Sequence, residues 1–402
     1  MEQLRLQAVC FLLEEVKTSI EELQDKNTDK ARVAAHGNVI KLARAIENPN
    51  DLILNLFFSP TQLMAVKVGH DVGLFAALVG SNTAVTSKQL AAASDAHPLL
   101  IERIMRVLVA MGFAEEQEGG TYLANALSRE MTEKASTSVI ETLFTDVAPV
   151  IQKTPEFLRK SGYQNPENGR EGPFQYTYNT SLCTFDWLAE NPIIQARFHA
   201  YVDGVRSNRP YWFDWFPVQE RMLNDCAKNP DEPLLVDIGG GTGRDISAFR
   251  DRFPDAIGRL FLEDLPSVID RIQSVDQVIE PIKYNIYDPQ PVHGARVYYL
   301  KFLLHEFDDE NCKVALRNIT AAMKRGYSKL VIDEFVLPDQ NAGIFYSMLD
   351  MGLMAFRSGM VRTQTQWTTI LQSVGLHVNV ICFPDGNGPA IIEAELLGED
   401  LS

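Results

Sequence analysis

The sequence predicts an α/β protein with a doubly wound, mostly parallel sheet in its C-terminal part and a mostly helical region before it. Three observations carry this. From Pro233 onward the short apolar runs "LLVDIG", "GRLFLED", "ARVYYLK" and "KLVIDEF" alternate with segments of helical period, the pattern of buried parallel strands joined by crossover helices. A glycine cluster closes the first run, and sheets of this type bind ligands beyond the carboxyl ends of their strands. Before about position 150, apolar residues recur at helical spacing,.

Taken in order, helices are expected through "LRLQAVCFLLEEVKTSIEEL" and "PTQLMAVKVGHDVGLFAALV". The stretch "TSKQLAAASDAHPLLIERIMRVLVAMGFAEEQEGGTYLANALS" reads as two short helices and a hairpin around Gly119-Gly120, a winged-helix pattern,. Lys160 to Tyr178, rich in Gly, Pro and Asn, reads as a loop between domains,. Helices resume in "TFDWLAENPIIQARFHAYVDGVRSNRPYWFDWF". In "CKVALRNITAAMKR" the residues Ala315, Ile319, Ala322 and Met323 share one face,. A chain of 402 residues exceeds one ordinary core,. Two domains are therefore expected, 1–160 helical and 161–402 holding the sheet.

Composition narrows the function. With 46% hydrophobic and 22% charged residues, this is an ordinary globular composition,. The formal charge of -16 speaks against nucleic acid or anionic membrane as partner,, so packing or dimerisation is the expected role of the winged-helix pattern. Five cysteines without a CxxC pair suit reduced cytosolic thiols,. The charged N-terminus does not read as a signal peptide, and no apolar run is taken to reach membrane-spanning length,. A cytoplasmic location is expected. His36, His70, His97, His199, His293 and His377 share no ligand spacing, and no metal is expected.

The glycine cluster bears on the ligand. Gly239, Gly241 and Gly243 give GxGxG, which is neither the dinucleotide spacing nor a P-loop,. No cation stands inside the loop to meet a pyrophosphate, although Arg244 follows it. Asp237 precedes the glycines, where a carboxylate suits an ammonium group. Asp264 ends the next strand, where an acid suits the hydroxyls of a ribose,. A nucleoside with a cationic amino-acid tail fits this set better than a diphosphate.

These motifs, with "TSKQLAAASDAHPLLIERIMRVLVAMGF", "EDLPSVI", "GARVYYLKFLLHEFDDE", "LVIDEFVLPD" and "LDMGLMAFRSGMVRTQTQW", make the chain resemble the small-molecule O-methyltransferases of caffeic-acid type and their fungal relatives. The resemblance implies a class I methyltransferase sheet (Rossmann-like), an N-terminal dimerisation domain, a homodimer, S-adenosylmethionine as cofactor and a small-molecule substrate. It implies cofactor contacts at Asp237, Gly239, Gly241, Gly243, Asp264, Asn285, Ile286 and Lys301. Asn285 stands where the family has an acid on the adenine side. His305 is implied as catalytic base, Glu334 as the carboxylate orienting it, and Arg197, Tyr201, Met354 and Val361 as substrate contacts. Asp203 and Arg206 extend that polar helix face, while Phe174, Trp212, Met351 and Phe356 are further candidate pocket walls.

An imidazole held by a carboxylate can remove the proton of a phenol, whose pKa near ~10 otherwise makes it a poor nucleophile. One departure stands out: the family has an acid before its Arg-Thr pair, and here the stretch reads "GMVRT", with Val361 in that place. Some fungal proteins resembling this family are pericyclases, which bind the cofactor without moving its methyl. In such a protein Lys301 and His305 would donate hydrogen bonds to a carbonyl.

Overall fold

Two units organise the chain, Met1–Gln152 with Phe185–Arg209, and Lys153–Thr184 with Pro210–Ser402. The computed structural model describes residues 2–207, 209–226, 229–272, 274–386 and 388–397. Residues 185–209 return to the first unit, a crossing that a single boundary near 160 does not describe.

In the first unit the helices Glu2–Lys26 and Asp29–Ile46 pack along each other. Thr28 separates them and caps the second, its hydroxyl accepting from the Ala31 N–H,. A core of Leu74, Phe75, Leu78, Leu90, Ile101, Met105 and Leu108 is buried among the following helices. Three short strands, β1 (Val85–Thr86), β2 (Glu115–Gln117) and β3 (Thr121–Leu123), form an antiparallel sheet in the order β1-β3-β2. Gly119 and Gly120 turn the β2–β3 hairpin at φ 77° and 69°,.

The helix Pro49–Asp71 corrects one expectation. It has 23 residues and a mean hydropathy of 1.3 in its most apolar window, long and apolar enough by length and composition to cross a membrane. Pro60 and the charged residues toward its two ends make it read in the sequence as separate, shorter runs. Leu52, Ile53, Leu54, Leu56, Phe57 and Phe58 are exposed along it.

The second unit contains a seven-stranded sheet in the order β6-β5-β4-β7-β8-β10-β9. Its strands are β4 (Pro233–Ile238), β5 (Arg259–Asp264), β6 (Ile279–Lys283), β7 (Val297–Lys301), β8 (Lys329–Glu334), β9 (Leu376–Cys382) and β10 (Ala390–Leu396). The first five pair in parallel, as the apolar runs predict. β10 is antiparallel to β8 and β9, a hairpin the sequence reading did not include. The order reverses at β4, which opens a crevice at the carboxyl ends of β4, β5 and β7,. Helix Asp309–Ala322 covers one face through Ala315, Ile319 and Ala322, with Met323 just beyond its end, all buried. The expected loop at 160–178 is helical over Pro173–Tyr178, because Pro173 fits a first helical position and the Gln175 side chain accepts from the Gly172 N–H,.

Glu263 on β5 is fully buried, and burial pushes its carboxyl up to about 7, partly offset by a hydrogen bond from Gln290 Nε2 at 2.9 Å. A carboxyl raised above its ordinary 4.5 favours folding while protonated, and that contribution is lost as pH rises from about 4.5 through about 7,. Glu263→Gln is therefore expected to stabilise the protein by about 2–3 kcal/mol at pH 8 and little at pH 5. Urea denaturation of both forms at the two pH values checks this, and equal effects at both would reject it.

Candidate active site

Backbone geometry shapes the crevice first. Gly239, Gly241 and Gly243 link β4 to the helix Arg244–Arg252, with φ of 73°, 62° and 79°, a conformation that L side chains rarely adopt. A Cβ on Gly239 would meet Leu303 at 2.8 Å, and one on Gly240 would meet the Asp237 carboxylate at 2.6 Å. Around Gly241 a Cβ would meet nothing within 4 Å, so this turn faces open space. Asp264 is aimed by two backbone donors, the Gly241 N–H at 2.8 Å and the Leu265 N–H at 2.7 Å. Asp237 is buried beneath the loop. Arg244 lies on the Tyr211 ring and donates to the Tyr211 hydroxyl at 3.3 Å. The donor set of an open glycine turn flanked by carboxylates fits a nucleoside with a cationic tail.

Asn285 and Ile286 follow β6. Ile286 is buried, whereas Asn285 is exposed and its Oδ1 accepts from the Tyr287 N–H at 3.1 Å. That amide oxygen caps its own turn.

Lys301 ends β7 inside an acidic cluster. Its Nζ lies 2.6 Å from Asp245 Oδ2 and 3.5 Å from Asp333 Oδ2. The Tyr299 hydroxyl lies 2.8 Å from Asp333 Oδ2 and 3.1 Å from Asp245 Oδ2. Burial raises the Asp333 carboxyl to about 6 against the pull of Lys301, and it holds the Tyr299 phenol well above its ordinary range,. Lys301 is thus already compensated by acids that the sequence reading did not name.

Four residues further on, His305 sits in the 3₁₀ turn Leu304–Glu306. Phe302, between the two, adopts φ 49° and lets the chain turn away from β7,. His305 Nδ1 lies 2.7 Å from Glu334 Oε2, and the His305 backbone N–H donates to Glu334 Oε1 at 3.3 Å. Both side chains are buried. Glu334 occupies this place because β8 alternates: Asp333 turns toward Lys301, and Glu334 toward His305,. On its other nitrogen, His305 Nε2 lies 3.1 Å from Glu306 Oε1, and Glu306 is paired with Arg357. Behind the turn, the fully buried Arg362 donates to the carbonyls of Leu304 (2.9 Å) and Phe307 (2.6 Å) and to Asp309 Oδ1 (3.0 Å). The Met360 N–H donates to the His305 carbonyl at 2.9 Å, and a Cβ on Gly359 would stand 2.4 Å from that oxygen.

The remaining sequence candidates make other contacts. Val361 is buried in an apolar cluster with Phe335 and Leu337, and its N–H donates to Asp350 Oδ1 at 2.7 Å. Met354 is half-buried on the helix Ile344–Arg357, where Met351 is exposed. Phe356 packs edge-on against Phe174, while Trp212 stacks on Tyr299 in the core. Arg197 and Tyr201 belong to the first unit. There Arg197 forms a two-pronged ion pair with Asp146, at 3.1 and 2.8 Å, and Tyr201 packs against Phe198. The Asp203 and Arg206 side chains lie outside the described residues. Among the described residues, no group of three or more His, Cys, Asp or Glu gathers as a metal site.

The sequence pattern assigns no role to Asp245, Asp333, Tyr299, Glu306, Arg357 or Arg362. Their signals were present. Asp245 opens the helix after the glycines, Asp333 precedes Glu334, and Arg362 follows Val361.

Comparison with known proteins identifies the family. The family model described as O-methyltransferase domain matches residues 167–377, and an O-methyltransferase dimerisation domain matches 54–134. O-methyltransferase penC of Penicillium thymicola is 36% identical over 92% of this chain and 93% of its own. Demethylsterigmatocystin 6-O-methyltransferase of Aspergillus parasiticus is 29% identical over 95% and 97%. A solved LepI complex with SAM superposes with a TM-score of 0.84 at 26% identity, covering 96% of this chain and 99% of that one. A match across more than half of the sequence, joined to relatives that align along nearly all of it, establishes that the chain belongs to the O-methyltransferase family that uses S-adenosylmethionine.

Proposed function

We propose that this enzyme methylates a hydroxyl of a small aromatic or polyketide-derived metabolite, with His305 as general base. The observation that carries this is the 2.7 Å contact between His305 Nδ1 and Glu334 at the carboxyl end of the sheet. With Nδ1–H donated to Glu334, Nε2 presents a lone pair to the acceptor hydroxyl. As that proton arrives, Glu334 stabilises the imidazolium. S-adenosylmethionine, when bound, supplies an electrophilic methyl carbon. Asp264 would hold its ribose hydroxyls, the glycine turn would border its tail, and Ile286 would pack on its adenine. Asp237 and Asp245 supply negative charge for its ammonium, with Lys301 balancing the acids around it. Met354 and Val361 contribute substrate contacts in this reading.

A second reading has a specific observation behind it. A solved pericyclic reaction enzyme superposes with a TM-score of 0.84 at 26% identity, and Val361 puts a buried apolar side chain where the family has an acid. In that case the cofactor stays intact and His305 and Lys301 donate to a carbonyl.

The homodimer belongs to the same proposal. The exposed apolar residues of the helix Pro49–Asp71 lie within or beside the matched dimerisation region. A helix apolar all round needs cover on every side, and we assign that cover to a second copy of the chain. The winged-helix reading of residues around β1–β3 serves assembly here. A cytoplasmic location is proposed on the five free cysteines,.

Three measurements test this. Asp264→Ala is expected to weaken S-adenosylmethionine binding by about 1.5–3 kcal/mol, the scale of losing charged hydrogen bonds; unchanged affinity by calorimetry removes Asp264 from the site. Incubated with a panel of phenols and labelled cofactor, the enzyme should release one S-adenosylhomocysteine per product, and His305→Ala should abolish it. Product without S-adenosylhomocysteine would sustain the pericyclic reading instead. Light scattering at micromolar concentration should give twice the chain mass, and a monomer would refute the assembly.

A further inference from the structure

Val361 stands where an acid was expected, and the structure closes that place to one. It is buried against Phe335 and Leu337, with Phe302 and Leu353 alongside, and a carboxylate there would lie unpaired in an apolar cluster. A different carboxylate reaches the base. Glu306 Oε1 lies 3.1 Å from His305 Nε2, the nitrogen not used by Glu334. The Glu306 and Arg357 side chains are 9% and 13% exposed and are ion-paired. Glu306 follows His305 directly in a 3₁₀ turn, so its side chain must fold back to reach the ring, and glutamate has one methylene more for this than aspartate.

Counting protons gives the contact a meaning. Nδ1–H is donated to Glu334, so an Nε2···Oε1 hydrogen bond closes only when a second proton lies in it. We propose that Glu306 is the second carboxylate of this active site, a positioning residue that stabilises the proton on Nε2 after His305 has taken it from the acceptor. Arg357 fixes its direction. The inference rests on His305 being the base. In the step, the acceptor O–H bond breaks, its electron pair stays on oxygen, and an N–H bond forms at Nε2. Glu306 then accepts a hydrogen bond from that N–H until the proton passes to water. Before the acceptor arrives, Glu306 stands beside Nε2, and the hydroxyl must displace it. Its loss should therefore fall on kcat and leave KM unchanged or lower.

Imidazole ¹⁵N NMR of the full-length, histidine-labelled protein without ligand tests this, with His305 assigned by its absence in His305→Ala. Over a pH series, Nε2 is expected to take up its proton about one pH unit lower in Glu306→Gln than in the wild type. With a phenol that the wild type methylates, Glu306→Gln should lower kcat by about tenfold or more without raising KM. The same protonation pH in Glu306→Gln as in the wild type, or an unchanged kcat, would each overturn the proposal. If His305→Ala keeps full turnover, the reading of the base itself fails. If His305→Ala is inactive while Glu306→Gln behaves as wild type, only the role of Glu306 falls.

Discussion

The guanidinium of Arg362 ties together the two chain segments from which the histidine site is built. A fully buried cation is costly unless its donors are met by oxygens. Here they are met by two carbonyls and a carboxylate, all from residues 304–309, while the Trp367 ring lies 5.3 Å from the guanidinium carbon. Those acceptors flank His305 on both sides, so satisfying Arg362 also fixes the turn that carries the imidazole. The Met360 N–H, two residues away, holds the His305 carbonyl from the same segment. Lysine could not replace this fork, since its single nitrogen lacks the planar spread of donors.

From that anchor the chemistry divides along β8. Adjacent residues of a strand face opposite sides, and Asp333 and Glu334 use this to serve two networks. One is the Lys301–Asp245–Tyr299 cluster below the glycine turn. The other is the histidine with a carboxylate on each nitrogen. Burial pushes Asp333 toward its neutral form, which limits the negative charge held beside Lys301. Phe302, in a left-handed conformation between Lys301 and His305, lets one short stretch feed both networks.

Much of this was legible in the sequence because it rests on local pattern. The four apolar runs are strands, the GxGxG turn needs positive φ at each glycine, and Asp308 caps the helix after His305. Pairings that depend on the tertiary fold were not legible. Nothing in the spacing of Asp146 and Arg197, 51 positions apart, announces their ion pair. Nor does the sequence say that Lys301 is shared between Asp245 and Asp333. The β9–β10 hairpin was missed because its strands lie outside the βα alternation that signals a parallel sheet. The helix Pro49–Asp71 was broken up by a proline that stays within it.

The close approach of Gly359 to the His305 carbonyl also bears on how such a site diversifies. A methyl group at 359 would overlap that oxygen, and any other side chain at 362 would leave the acceptors of Arg362 unmet. Between and beside these fixed points stand Met354, Phe356 and Val361, apolar residues that meet their neighbours by packing alone, apart from backbone bonds. Volume-conserving changes in apolar packing are cheap compared with unpaired polar groups. Within ten residues, then, the chain separates positions that hold His305 from positions free to drift. The apolar packing here can be reshaped by exchanging methyl groups while the geometry around His305 stays in place.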